Sequence, residues 1–131
     1  MSNPDDARSD DRDEIRLSLP ALFPYGRVAR LAVTGLASRN GYSYDDVEDL
    51  RIAIGEVFGL LVPEERPDAR LQLTCVLLPE SLDITAALAP STPIERITDL
   101  SRQILAAVVD DAAIDEADGR IRIVKRLRGG S

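Results

Sequence analysis

Residues 45–62 read DDVEDLRIAIGEVFGLLV, and this stretch decides the fold. Apolar side chains recur at Val47, Leu50, Ile54, Val57, Phe58 and Leu61. That is the i, i+3, i+4, i+7 spacing of one helix face, so the stretch is expected to form an amphipathic helix with a buried stripe. Ser43 or Asp45 can cap its start, and Asp45, Asp46, Glu48 and Asp49 place negative charge at the positive end of the helix dipole. Pro63 stops it, because a proline offers no N–H to continue the ladder. A second stripe, Ile52, Glu56 and Leu60, sets one carboxylate between aliphatic neighbours a turn away on each side. Such a carboxylate lies at the solvent rim of the helix or in a site that needs it.

Working outward, the chain of 131 residues suits one domain, and at 44% hydrophobic it can bury a real core. With no Trp, two Phe and three Tyr, that core is aliphatic. A net charge of −7 argues against nucleic acid, whose phosphates call for a basic surface. A protein surface is the better-matched partner. The absence of His removes His-based triads, His metal ligands and His proton shuttles. The single Cys75 removes an intrachain disulfide and any thiolate-rich zinc site. It alternates with Leu71, Leu73 and Leu77, so it reads as an inert core thiol. No secretory signal and no membrane-length apolar run is evident, so the expected location is cytoplasmic, with no membrane contact.

Residues 1–13 carry five Asp and almost nothing apolar, and are expected to be a disordered acidic leader. Residues 14–19 (EIRLSL) alternate apolar and polar and read as a short strand ended by Pro20. Residues 24–39 (PYGRVARLAVTGLASR) read as a helix with Pro24 near its first turn and Asn40-Gly41 as its C-cap. Its core stripe is expected at Val28, Leu31, Ala32, Gly35 and Leu36, with Arg27, Arg30 and Thr34 on the other side. After the charged turn 63–70, residues 71–78 (LQLTCVLL) and 82–88 (LDITAAL) read as a hairpin. Residues 94–110 read as a third amphipathic helix, facing the core with Ile94, Ile97, Leu100, Ile104, Leu105 and Val108. Residues 112–114 and 120–127 (RIRIVKRL) close the domain as two short strands, leaving 129–131 as a tail. The expected architecture is α+β, a two-layer sandwich with three helices on one face of a mainly antiparallel sheet, spanning 14–128.

Residues 31–57, LAVTGLASRNGYSYDDVEDLRIAIGEV, resemble the first two helices of the bacterial anti-sigma factor serine kinases, which share the histidine-kinase-like (GHKL) ATPase fold. The resemblance is sharpest in the run D-L-(K/R)-x-A-(I/V)-x-E, matched by Asp49, Leu50, Arg51, Ala53, Ile54 and Glu56. It implies that Glu56 stands where the family keeps its general base. The family then has a Mg²⁺-binding Asn four residues on, where this chain has Leu60, whose side chain offers no oxygen. The family's Asp-x-Gly-x-Gly box falls on residues 86–93, which hold neither Asp nor Gly, and its lid glycines fall on Thr98, Asp99, Leu100 and Ser101. No glycine occurs between Gly59 and Gly119, although backbone phosphate cradles draw on glycine's freedom at positive φ.

The resemblance therefore implies an anti-sigma-factor-like regulator, a pseudo-kinase with a degenerate nucleotide site: no metal, no cofactor, and Glu56 a vestigial base. Arg30 matches an arginine that meets the partner in the family, and Arg27 and Thr34 share its face. The implied partners are a sigma factor or an anti-anti-sigma (STAS-domain) protein, with a homodimer as in the family. The alternative is an active ATP- and Mg²⁺-dependent serine kinase phosphorylating an anti-anti-sigma factor. A third reading is a sensory or scaffold module with unrelated partners. Adjacent Asp110 and Asp111 read as a charged helix end rather than a metal site, because neighbours on a helix point about 100° apart.

Overall fold

The computed structural model describes residues 13–128. Most of the acidic leader and the tail 129–131 lie outside the described residues. The element order is β1 (Asp13–Ala21), α1 (Tyr25–Arg39), α2 (Tyr44–Leu61), β2 (Arg66–Leu78), β3 (Ser81–Ala89), α3 (Asp99–Val108), β4 (Asp111–Asp115) and β5 (Arg120–Arg126). The strands form one antiparallel sheet in the order β1-β2-β3-β5-β4, with the three helices layered on one face. This is the expected α+β two-layer sandwich.

α2 is the centre of the helix layer. Ser43 is its cap, its Oγ accepting from the Asp46 N–H at 3.1 Å. Leu50, Ala53, Ile54, Val57, Phe58 and Leu61 are buried, close to the expected stripe, while Val47 is half-buried. The sheet meets them with Leu71, Leu73 and Cys75 of β2, Leu82, Ile84, Ala86 and Leu88 of β3, and Ile121 and Ile123 of β5. Period-two alternation thus sends every second strand residue into one aliphatic core. Cys75 lies among them as expected, and burial pushes its thiol up to about 11.

α1 turns a different face inward from the one its bulky residues suggest. Gly26, Ala29, Val33 and Ala37 are the buried set, spaced three and then four apart. Val28 and Gly35 are exposed and Leu31 is 64% exposed. Small residues win because they let the helix approach its neighbour closely: a Cβ on Gly26 would stand 3.2 Å from the Phe58 ring. The expected core stripe through Val28 and Leu31 is therefore corrected by one position.

Three boundaries also differ. β1 runs through Pro20 to Ala21, because an edge strand can place a missing N–H on its unpaired side. β2 starts at Arg66, opposite Ala21 beyond a register shift. α3 starts at Asp99 instead of 94, since the Thr98 Oγ1 caps it by accepting from the Ser101 N–H at 3.0 Å. The Ile94 N–H is instead bonded across the fold to the Glu116 carbonyl at 2.8 Å, and Leu100 is exposed rather than core-facing. β5 places Lys125 on the core face, 4% exposed, beside α2.

Candidate functional site

Two places on the helix layer hold the residues singled out above. The first is the far end of α2. Its Ile52–Glu56–Leu60 stripe passes from solvent to core: Ile52 is 48% exposed, Glu56 half-buried and Leu60 8% exposed. Just beyond Leu60, the end of α2 and residues 92–96 border an open recess of about 400 Å³. Leu60, Arg66, Ile94 and Arg96 contribute to its walls. The Arg66 Nε is buried and has no hydrogen-bond partner among the described residues. Nothing in the residue pattern had marked Arg66; only the register that starts β2 early brings it to the recess.

Ala86 and Leu88 are core residues of β3, paired with Leu73 and Leu71, so their backbone belongs to the sheet. At the lid positions Thr98 and Ser101 are engaged with each other at the start of α3. Leu60 presents an aliphatic side chain to the recess. Among the described residues no group of three or more Cys, Asp or Glu side chains converges as metal ligands do.

Asp110 and Asp111 lie past the end of α3, not on it. Asp110 accepts from the Arg126 N–H at 2.7 Å and from Arg128 at 3.0 Å, and Asp111 opens β4. Burial pushes the Asp110 carboxyl up, but these two hydrogen bonds together with the charges of Arg128 and Lys125 outweigh it and hold the group below its usual value. The pair is a structural clasp between β4 and the end of β5.

The second place is the outward side of α1. Arg27 is exposed, and Arg30 is half-buried with its stem beside Gly55 of α2, 3.8 Å from where a Cβ would stand. Phe23, Pro24, Arg27 and Arg30 line a shallow recess. Thr34 spends its hydroxyl on its own helix, donating to the Arg30 carbonyl at 2.8 Å, so it shapes the helix surface more than it offers a free donor. Val28 and Leu31 on the same helix, and Phe23 just ahead of it, are exposed as well. Val28 and Leu31 were expected in the core because the rotation of α1 is set by Gly26, Ala29, Val33 and Ala37; Phe23, ahead of the helix, carried no expectation. α1 also holds Arg27, Arg30 and Arg39 without one acidic residue, in a chain whose net charge is −7.

An antiparallel sheet covered on one face by three helices in this order is the histidine-kinase-like ATPase architecture. The RsbU and RsbW domains of a Mycobacterium tuberculosis protein, solved by crystallography, match it with a TM-score of 0.66 at 16% identity, over 88% of this chain and 32% of that one. In sequence, the chain is 50% identical over 44 residues to the serine-protein kinase RsbW of Bacillus velezensis, which is 34% of this chain and 28% of that protein. It is 35% identical over 77 residues to the serine-protein kinase RsbW of Bacillus cereus strain B4264, which is 57% of this chain and 48% of that protein. The chain thus spans less than half the length of the curated relatives it matches. No family model matches it. The chain is thus similar in fold to the RsbW-containing structure and, over part of its sequence, to the RsbW serine-protein kinases. Among the described residues no helix is long and apolar enough to cross a membrane.

Proposed function

We propose that the chain is an anti-sigma-factor-like regulatory protein of the cytoplasm that holds its partner through the outward face of α1 and works without nucleotide. One observation carries the reading: Val28 and Leu31 are exposed beside Arg27 and Arg30 on α1, with exposed Phe23 just ahead of it, and among the described residues α1 is the one helix without an acidic residue. Apolar side chains framing arginines are the composition of protein-interface hot spots, and the guanidinium pairs bidentately with a partner's carboxylates. The partner is a sigma factor or an anti-anti-sigma (STAS-domain) protein with an acidic surface. Exchange between the two sets the output, so sequestration replaces phosphorylation.

The loss of nucleotide use is supported by Leu60, by the strand conformation of residues 86–89 and by the side-chain cap at Thr98. The donor set of a Mg²⁺-nucleotide is not matched there, and Glu56 has no phosphoryl group to serve. The deciding experiment is calorimetry of the purified protein with Mg-ATP, paired with a thermal shift, since a ligand that binds only the folded state must raise its stability. Neither heat nor shift is expected at millimolar Mg-ATP. Saturable binding with transfer to a serine would instead establish the active kinase, with Glu56 as its base. For the interface, Arg30→Glu is expected to weaken partner binding by about 2 kcal/mol or more in a titration. Unchanged affinity would remove α1 from the interface. Sedimentation of the free protein scores the homodimer separately.

A further inference from the structure

We propose that the open edge of β1 pairs with the same edge of a second copy of this chain, antiparallel and centred on Ile15. Among the described residues, β1 has a strand neighbour on its β2 side only. Pro20 fixes which backbone groups face the other way. It stands opposite Arg70 in the ladder and has no N–H, so that pair is a non-hydrogen-bonded one. Strict alternation then turns the N–H and C=O of Glu14, Arg16 and Ser18 toward the open edge. The far part of this edge is already closed. Arg70 donates to the Ser18 carbonyl at 3.0 Å and to the Ser18 Oγ at 2.7 Å, and Pro20 has no donor to offer. What stays open is residues 13–17, with Ile15 at their middle, 39% exposed on the side of the strand that buries Leu19.

The charges select both the occupant and its register. An antiparallel pair of identical strands is symmetric about one residue. Centring on Glu14 or on Arg16 would set that residue against itself, with like charges directly opposite. Centring on Leu17 would set Glu14 against Pro20, which has no N–H. Centring on Ile15 sets Glu14 against Arg16 of the copy and Arg16 against its Glu14, so the ladder bonds and the opposite charges coincide. The Glu14–Arg16 ion pair already made within the strand, at 2.6 Å, then joins its copy in one alternating row. Ile15 meets Ile15 across the axis, and its exposed surface leaves water. α1 packs on both α2 and β1. Its half-buried Ala32 and Leu36 stand about 200° and 240° round the helix from Arg30, the residue that meets α2, so this apolar flank lies on the β1 side, beside the seam. The other edge of the sheet is built against such pairing. β4 is short, and symmetry about Ala113 would oppose Asp111 to Asp115 of the copy. Arg27 and Arg30 lie on the opposite flank of α1, so this inference stands independently of the partner surface proposed there.

Sedimentation equilibrium of the whole chain, up to about 1 mM so that even a weak pair would form, tests this. A reversible dimer is expected. Glu14→Arg and Arg16→Glu should each weaken it about tenfold, because each faces like charges across the axis. An equimolar mixture of those two variants should recover the dimer as mixed pairs, a wholly basic edge meeting a wholly acidic one. The double exchange, Glu14→Arg with Arg16→Glu, should recover it alone. Ala113→Lys on the β4 edge should leave it unchanged. Hydrogen exchange gives a second reading: the Glu14 and Arg16 amides should gain protection as concentration rises, and the β4 amides should not. A dimer that both charge reversals leave intact overturns the proposal, as does a mixture that fails to recover it or a dimer lost in Ala113→Lys. A monomer at every concentration also overturns it. If the Glu14 and Arg16 amides are nonetheless protected in that monomer, the edge is taken by residues 1–12 of the same chain instead of a second copy.

Discussion

The ammonium of Lys125 in β5 lies 3.1 Å from the Asp49 carboxylate of α2. It also donates to the Val108 carbonyl at 2.8 Å and stands 3.5 Å from Asp46. This is the only lysine in the chain. One buried cation therefore ties the acidic first turns of α2 to the last strand and to the end of α3. Its aliphatic stem follows Ile121 and Ile123 on the core face, and its head meets the carboxylates at the edge of the helix layer.

Lys125→Met should keep the stem's volume and lose the charge. Removing one partner of a buried pair leaves the other uncompensated, here softened because Asp49 is partly exposed, so a loss of about 2–4 kcal/mol in urea melts is expected. A loss below about 0.5 kcal/mol, the scale of ordinary surface changes, would mean that the clamp contributes nothing.

Alkaline pH should expose the core thiol. Burial raises Cys75 from 9 to about 11, and burial followed by the charges of Asp46 and Asp110 raises Tyr42 from 10 to about 12. Both groups are neutral when protonated, and folding favours that form. Their contribution is fully present below the unfolded pKa and is lost as pH rises through the folded one. For Cys75 the window is pH 9 to about 11, and the shift corresponds to about 2–3 kcal/mol. Cys75→Val should flatten the stability curve across that window, leaving the later limb from Tyr42, whose hydroxyl donates to the Lys125 carbonyl at 3.1 Å. An unchanged curve in the variant would assign the limb to other groups.

Gly119→Ala should be among the most damaging single changes at the recess. Gly119 has φ +65° and a Cβ there would stand 1.9 Å from the Thr92 carbonyl oxygen. Backbone cannot yield as a side-chain end can, so the turn or residues 90–96 must move. The expected cost is about 2–4 kcal/mol in a melt, with amide shifts concentrated at Thr92 and Ile94. A neutral variant would show that this segment is not locked to the turn.

The layered fold was legible because its signals are periodic. The i, i+3, i+4, i+7 run in α2 and the alternation in β2, β3 and β5 each report burial directly. What was illegible has a common physical cause. Helix rotation in α1 is decided by close approach, which rewards Gly26, Ala29, Val33 and Ala37, while a reading by hydrophobicity weights Val28 and Leu31. The start of α3 was misplaced because Ile94 is buried without being helical. Arg66 went unnoticed because an unpartnered Nε is a fact of three-dimensional surroundings. Spacing drew notice to Glu56 and Leu60 as a stripe and set Arg27 and Thr34 on the face of Arg30, while the roles given to Glu56, Leu60 and Arg30 came from the family resemblance.

The inverted face of α1 yields a paired prediction that separates stability from binding. Leu31 is 64% exposed, so Leu31→Ala should change folding stability by no more than about 0.5 kcal/mol. Ala29 is fully buried, and Ala29→Leu adds bulk where α1 lies against the fold, so about 1–3 kcal/mol or more should be lost. If the outward face is the partner surface, Leu31→Ala should also weaken partner binding by about 1–2 kcal/mol while its melting curve stays in place. Should Leu31→Ala destabilise the fold and Ala29→Leu be tolerated, α1 would be rotated back to the orientation its bulky residues suggest. The arginine surface would then have to be drawn anew.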